Sequence, residues 1–386
     1  MNREKLSFVK VVVACIFFLA LTSALFANGN KEQAGSAGEE EKAVLSILCF
    51  QGYAEPAWVE PFEEKYNCEV KVTYAGTVEE HFSKTKLAPE EYNIISNDSG
   101  RVQMYYDAGL IQAIDTSKLS NYSKIGAYFT EHPYAQCEPG KKFHVPITWG
   151  PQTLTINTKN VSEAELAPYL DKATNTISYD ILTAPEFKGR TAFFDEAANV
   201  VPIAAIQLGI EDPYHFQPGD WDKVSDQLIE WKENARTFTS GLDSEFGILT
   251  NEDADILLGG NDPILVMQFK EAGLEDTFTS YGPTEGAVCW IDGWVITKPT
   301  KGKSLDLALK YIDYMIGDQG QKELAGLIGF GIVNPAGRDG YDPHLLNKCS
   351  WFDGSIDEVP FPLYIMVPED DPGRRVELWN KVKATD

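Results

Sequence analysis

The sequence predicts an α/β protein built as two lobes, and three observations carry that prediction. At 386 residues the chain is too long for one compact core. Short strand-like runs alternate with helical patterns from residue 44 to the end. The first of them form a β-α-β opening, an arrangement whose ligands bind beyond the carboxyl ends of the strands.

Ahead of that opening lies a basic start (Arg3, Lys5, Lys10), then an apolar run from Val11 to Phe26 broken by Thr22 and Ser23, with Ala27 before polar Asn28. This is the pattern of a secretory signal peptide, residues 1–27, cleaved after Ala27. An uncleaved anchor is the alternative, because the run falls only a little short of a bilayer span. Cys15 sits too early for a lipoprotein signal. Residues 28–43 are small and polar, as a disordered tether is. The protein is therefore expected outside the cytoplasmic membrane, in the periplasm, either free or tethered.

Residues 44–50 (VLSILCF) are almost continuously apolar, which suits a strand covered on both faces. Gln51 to Tyr53 form a loop. The helix at 55–66 places Trp58, Val59, Phe62 and Tyr66 at helical spacing, Asn67 ends it, and 69–74 alternate as a second strand. Residues 92–95 read as the third strand, followed by a polar loop at 96–101 and a short helix at 102–108. Residues 144–150 and 153–156 are extended and cross out of the first lobe, and a second lobe begins near Asn157. There, 179–182 is a short helix, 185–189 a turn and 191–194 a strand whose end opens a helix through Leu208. Residues 222–235 are amphipathic, with Val224, Leu228 and Trp231 on one face. Residues 255–262 lead into a strand at 264–268. Residues 286–296 are rich in β-branched and aromatic residues between Gly282-Pro283 and Lys298-Pro299, the pattern of a strand. After it, Ala308, Tyr311, Ile312 and Met315 give a helical face, Gly317 stops that helix, and Asp318 with Gln321 makes a capping box for the next. A last helix at 374–384 turns Val376, Trp379 and Val382 inward.

Composition is ordinary, with 43% hydrophobic and 24% charged residues, but the formal charge of −25 is not. Without a Lys/Arg cluster it argues against nucleic acid. It suits the attraction of a small cation, and equally suits plain solubility. Five cysteines remain after Cys15, an odd number without C-x-x-C spacing, so no zinc site is implied; two could pair in an exported protein. Cys49 and Cys289 lie in apolar strands and read as buried. His81, His132, His144, His215 and His344 are scattered without metal-ligand spacing. Asp253 and Asp255 lack the rest of a calcium loop and read as a helix face. The acidic runs at 39–41 and 369–371 read as solvated. Hydrolase, nucleotide and metalloprotease motifs are missing, so no enzyme, cofactor or metal is expected.

Asp292 is a carboxylate in the middle of an apolar strand. Alternation puts Trp290, Asp292 and Trp294 on one face and Cys289, Ile291 and Val295 on the other. An acid flanked by indoles suits a cleft that receives a cation. The plainer alternative is a surface strand end with a solvated acid. Other strand ends add Phe50, Gln51 and Tyr53, then Asp98 and Ser99, then Asp195, Glu196 and Asn199, then Gln268 and Phe269. This set is rich in acids and aromatics, with Arg101 as its base. An exported two-lobe protein with such a cleft points to a solute-capturing receptor.

Several stretches carry a resemblance in their order and spacing: 45–53 (LSILCFQGY), 109–119 (GLIQAIDTSKL), 145–150 (VPITWG), 185–189 (PEFKG), 288–292 (VCWID), 328–330 with Asn334-Pro335, and 377–382 (ELWNKV). They resemble the spermidine/putrescine-binding proteins of bacterial ABC importers over essentially the whole mature length. The resemblance implies the type II two-lobe periplasmic binding fold, two mixed sheets flanked by helices with a two-strand hinge, closing on its ligand. It implies lobe 1 at 44–153 with 290–338 and lobe 2 at 154–289 with 339–386. It also implies a linear polyamine as ligand, carboxylates on the ammonium groups, rings along the methylenes, and a monomer that serves an ABC permease. Trp290, Asp292, Tyr53 and Glu196 match family positions, and Phe330 stands where a tyrosine is usual. With residues 286–296 as a hinge crossover, Trp294 is expected in the first-lobe core. Phe50-Gln51 and Asp98-Ser99 depart from the pattern, Asn199 replaces a second acid, and Gln268 replaces a tryptophan. An ammonium opposite a missing acid costs several kcal/mol unless another charge serves it. Asp98 is one source of that charge. Otherwise the ligand is a smaller, less charged or zwitterionic solute, with Arg101 available to a carboxylate, or the chain is a sensor that does not transport.

Overall fold

The computed structural model describes residues 42–132, 142–349, 351–352 and 354–385. The signal segment 1–27, the tether up to residue 41, the acidic run 39–41 and Cys137 lie outside them. The chain opens as β1 (Ala43–Cys49), α1 (Pro56–Tyr66), β2 (Cys68–Tyr74), α2 (Val78–Leu87), β3 (Ile94–Asp98), α3 (Val102–Asp107), β4 (Ile111–Gln112) and α4 (Ala127–Glu131). It continues through β5 (Val145–Pro151), β6 (Thr153–Asn157), α5 (Glu163–Leu166), β7 (Leu170–Asp171), β8 (Thr176–Ile177), β9 (Thr191–Phe194), α6 (Ala197–Gln207) and α7 (Asp220–Asn234). Then come β10 (Ala235–Thr239), α8 (Leu242–Thr250), β11 (Ile256–Gly259), α9 (Asp262–Glu271), β12 (Phe278–Pro283), β13 (Ala287–Thr297), α10 (Gly302–Met315) and α11 (Asp318–Leu327). The chain closes with β14 (Gly331–Ile332), α12 (Pro343–Lys348), β15 (Leu363–Ile365) and α13 (Pro372–Lys383).

These strands make two mixed sheets. The first runs β14-β5-β13-β3-β1-β2, with β4 and β15 also paired to β13; the second runs β10-β9-β11-β6-β12-β8-β7. Leu45, Ile47, Leu48 and Cys49 are fully buried in β1 between parallel neighbours, as the apolar run predicts. Gln152 alone separates β5 of the first sheet from β6 of the second. Residues 284–286 separate β12 from β13 on the way back, and the Gln152 N–H donates to the Val288 carbonyl at 2.8 Å. The two crossings are thus tied together, which is the expected two-strand hinge. Trp294 packs edge-on against Tyr311 of α10, with ring centroids 5.7 Å apart, in the core behind the first sheet.

Several expectations are corrected. Residues 264–268 are not a strand but part of α9, and the strand in that region is β11. A five-residue apolar run has no period of its own; Pro263 in the first turn, where a missing N–H costs nothing, marks a helix start. The third strand runs to Asp98, so 96–98 are strand and not loop. Gln321 forms no capping box with Asp318. Its amide donates to the carbonyls of Ile147 and Met315 and accepts from the Val333 and Asn334 N–H groups. Asp253 and Asp255 lie outside any helix, and Asp255 pairs with Arg190 at 2.7 Å. Val376 is 37% exposed, and Arg375 takes the buried place expected of it. Glu369 is not solvated: it is buried against Arg101 at 3.2 Å. Cys49, Cys68, Cys289 and Cys349 are buried free thiols.

Candidate functional site

The site is built on β13, whose side chains are all buried, between β3 and β5. Trp290 lies opposite Gly150 of β5, where the absence of a side chain lets the indole rest on the backbone. A Cβ at Gly150 would stand 2.4 Å from Trp290 Cζ2. The indole meets Phe330 edge-on at 4.9 Å, and Phe330 meets Tyr53 in the same way at 6.5 Å. Tyr53 is brought there by a turn after β1 in which Gly52 has φ +96°, a conformation that favours glycine. Its hydroxyl donates to Asp292 Oδ2 at 2.6 Å. Phe50 packs against Tyr53 on one side and stacks on His81 on the other.

Asp292 faces Asp98 across the β13–β3 ladder. Asp98 Oδ1 accepts from the Gly100 N–H at 2.9 Å, while Oδ2 is buried with no hydrogen-bond partner among the described residues. The opposite wall starts at Glu196, the residue that precedes α6. Its carboxylate accepts from the Asn199 amide and, across the cleft, from the Val78 N–H of α2 at 3.4 Å. Asn199 in turn accepts from Gln152 in the hinge at 3.0 Å.

Together these walls enclose about 420 Å³, within the range of small-ligand sites. Among the described residues the lining carries five carboxylates, Glu80, Asp98, Glu196, Asp243 and Asp292, and no lysine, arginine or histidine. Burial dominates their titration, because a charge leaving water is disfavoured. Asp292 is pushed up to about 7, by burial and then by Asp98, against the Tyr53 hydrogen bond. Asp98 rises to about 6 through burial, although Arg101 and the Gly100 N–H pull it down. Glu196 rises to about 8, through burial and then the charge of Glu79. Negative charge is costly in this cavity, and a bound cation would relieve that cost. Among the described residues no group of three or more His, Cys, Asp or Glu could hold a metal ion.

Of the residues expected here, Phe50, Gln51, Tyr53, Asp98, Glu196, Asn199, Trp290, Asp292 and Phe330 line the cavity. Ser99 and Gln268 do not. Ser99 is fully buried and its hydroxyl donates to the Met366 carbonyl at 2.7 Å. Gln268 follows from the misread element: on helix α9 it is Ile264 that reaches the cavity. Phe269 stacks on Phe278 in the core, and Asp195 accepts from Trp379 and Lys383 away from the cleft. Arg101 is held by Glu369 and is absent from the lining. Sequence reasoning missed Tyr74, Glu80, Asp243 and Asn261. The rule that ligands gather beyond strand carboxyl ends, applied to β2, finds Tyr74 and Glu80; Asp243 and Asn261 follow β10 and β11, strands that the sequence reading does not contain.

A family model described as bacterial extracellular solute-binding protein matches residues 57–343. The spermidine/putrescine-binding periplasmic protein of Escherichia coli (strain K12) is 24% identical over 321 residues, covering 81% of this chain and 84% of its own. Among solved structures, a spermidine/putrescine ABC transporter substrate-binding protein from Streptococcus pneumoniae, in complex with calcium and HEPES, superposes with a TM-score of 0.69. It is 20% identical and covers 89% of this chain and 99% of that one. The Atu4243–GABA receptor superposes at 0.67 with 17% identity, covering 89% and 98%. These likenesses show the two-lobe fold, and the resemblance expected from the sequence holds. No described helix is long and apolar enough to cross a membrane. With the family model spanning most of its length, the chain belongs to the bacterial extracellular solute-binding protein family.

Proposed function

We propose that this protein captures a small cationic amine of the diamine or polyamine class in the cleft between its sheets. It delivers that amine, as an exported monomer, to an ABC permease in the cytoplasmic membrane. The observation that supports this reading is the lining itself: five carboxylates, no base, and rings on the walls. Asp292 and Glu196 take ammonium groups, and Trp290, Tyr53 and Phe330 enclose the alkyl chain through their faces and edges. The hinge at Gln152 and residues 284–286 closes the lobes on the ligand. The named activity of the Escherichia coli relative, spermidine/putrescine binding, agrees with this chemistry. Binding is the whole of the role; no catalytic step is assigned.

A zwitterionic solute is the second reading, favoured by the amides of Gln51, Gln152 and Asn199 in the lining. It lacks a cationic anchor for the carboxylate, since Arg101 is committed to Glu369. Isothermal titration against putrescine, spermidine and γ-aminobutyrate decides between the two. The amine reading expects both amines to bind at micromolar concentration and the zwitterion to bind far more weakly. If neither amine binds at millimolar concentration, the reading fails.

A further inference from the structure

The two carboxylates of the β3–β13 wall stand in an unusual relation to each other. Asp98 and Asp292 are directly opposed in an antiparallel ladder, and the Ser99 N–H donates to the Ile291 carbonyl at 2.9 Å. That bond makes Asp98 and Asp292 a non-hydrogen-bonded pair, the arrangement in which Cα atoms approach to about 4.5 Å and side chains lie closest. Like charges so placed oppose folding, and both residues are more than nine-tenths buried. Each has one oxygen satisfied, Asp98 by Gly100 and Asp292 by Tyr53. The remaining Asp98 oxygen is an orphan acceptor within the cavity wall. Across the cleft, by contrast, Glu196 is already served by the Asn199 amide and the Val78 N–H.

We propose that Asp98 and Asp292 form a single seat for one N–H-bearing ammonium, and that Asp98 is the specificity-determining residue of the cleft. This rests on the reading of the cleft as a cation site and extends it. An ammonium with N–H donors bridges the two free carboxylate oxygens, cancels the repulsion between the strands and satisfies the orphan acceptor. A quaternary ammonium has the charge but no donor, so the orphan stays unpaired. The charge absent at Asn199 is thereby supplied from the opposite wall. The groups that face Asp98 are Asp292 on β13, Tyr53 after β1, Glu79 on α2, Arg101 before α3, Tyr105 on α3, Glu196 before α6, Tyr214 after α6 and Glu369 in the C-terminal segment. Arg101, the one base among them, is paired with Glu369.

Calorimetric titration of the purified protein with putrescine at neutral pH, in two buffers of different ionisation enthalpy, reads affinity and proton release together. A wild type that binds no amine overturns the cation reading and this proposal with it. Given wild-type binding, Asp98→Asn is expected to weaken it about 10- to 100-fold, or about 1.4–2.8 kcal/mol at 1.4 kcal/mol per tenfold. It is also expected to lower the number of protons released. Without ligand, the same substitution is expected to raise the urea midpoint above neutral pH, because one of two opposed charges is gone and the acceptor for Gly100 is kept. A merely structural Asp98 would lower that midpoint. Asp98→Ser carries the same test if the asparagine variant does not fold. Choline, which offers no N–H, is expected to bind at least about 10-fold more weakly than putrescine. Unchanged affinity and proton release in the variants, or equal affinity for choline, overturns the proposal and leaves the amine reading standing.

Discussion

Gly150→Ala is expected to damage the cleft without touching a charge. The new Cβ would stand 2.4 Å from Trp290 Cζ2 and 2.9 Å from Cε2 and Cη2. Carbon atoms in contact prefer about 3.5–4.0 Å, so the indole must retreat by roughly 1 Å at its near edge. Val288, Cys289 and Ile291 are fully buried beside it, which leaves the cavity as the open direction. Overpacking of this kind costs about 1–3 kcal/mol. The edge-on contact with Phe330, worth about 0.5–1.5 kcal/mol beyond area, is lost as the ring moves. Urea unfolding should therefore show a loss of about 1–3 kcal/mol, and amine affinity should fall at least about 10-fold as the indole enters the ligand's space. In a Trp290→Ala background the alanine at 150 should cost little, giving a coupling energy of about 1–3 kcal/mol in the double-mutant cycle. If Gly150→Ala shifts stability by less than about 0.5 kcal/mol and leaves affinity intact, the indole is not seated on this glycine.

Three further outcomes follow from the same geometry. Asp292 has its carboxyl raised from 3.8 to about 7. A raised acid contributes stability below its unfolded pKa and loses it as pH rises through the folded one. Asp292→Asn should therefore gain on wild type in urea midpoint as pH rises from about 4 to 7, by at most about 4 kcal/mol at 1.36 kcal/mol per unit. Its amine affinity should fall by about 1.5–3 kcal/mol, and a stability difference that stays flat with pH refutes the raised carboxyl. Glu369→Gln removes the carboxylate that pairs with the buried Arg101 and Arg375 guanidinium groups, leaving them the weaker pull of Asp98, Glu79, Glu196 and Asp370, and should cost about 3–5 kcal/mol in chemical denaturation. A loss below about 1 kcal/mol would mean that water reaches the pair. Asn199→Asp replaces the amide that donates to Glu196 with a like charge. It should lower apo stability by about 1–3 kcal/mol and raise the affinity for spermidine relative to putrescine. An unchanged ratio in calorimetry would place position 199 beyond the ligand's reach.

The opening β-α-β unit, β13 and most helices are legible because their apolar period is local. β1 is unbroken and buried on both faces, and α1 ends at Asn67, which adopts the left-handed φ of 46°. The 264–268 segment was not legible, since five apolar residues in a row serve a buried strand and a buried helix equally. That one ambiguity also misplaced Gln268. Glu369 was illegible for a different reason: an acidic run looks solvated until its partner Arg101 arrives from 268 residues away.

For the site, the sequence by itself determined that Asp292 is out of place. A carboxylate in an apolar strand between two tryptophans is either a solvated strand end or a group with something to bind. It also placed Tyr53, Glu196 and Trp290 at strand or helix ends where a cleft could gather them. Only the tertiary structure decided what Asp292 faces. Its opposition to Asp98 depends on the antiparallel register of strands almost two hundred residues apart, and no local pattern encodes register between distant strands. The same holds for the hydrogen bond from Val78 to Glu196, which joins two walls through no shared element. Periodicity reports whether a side chain is buried; which charge it is buried against is settled by the packing of the whole chain.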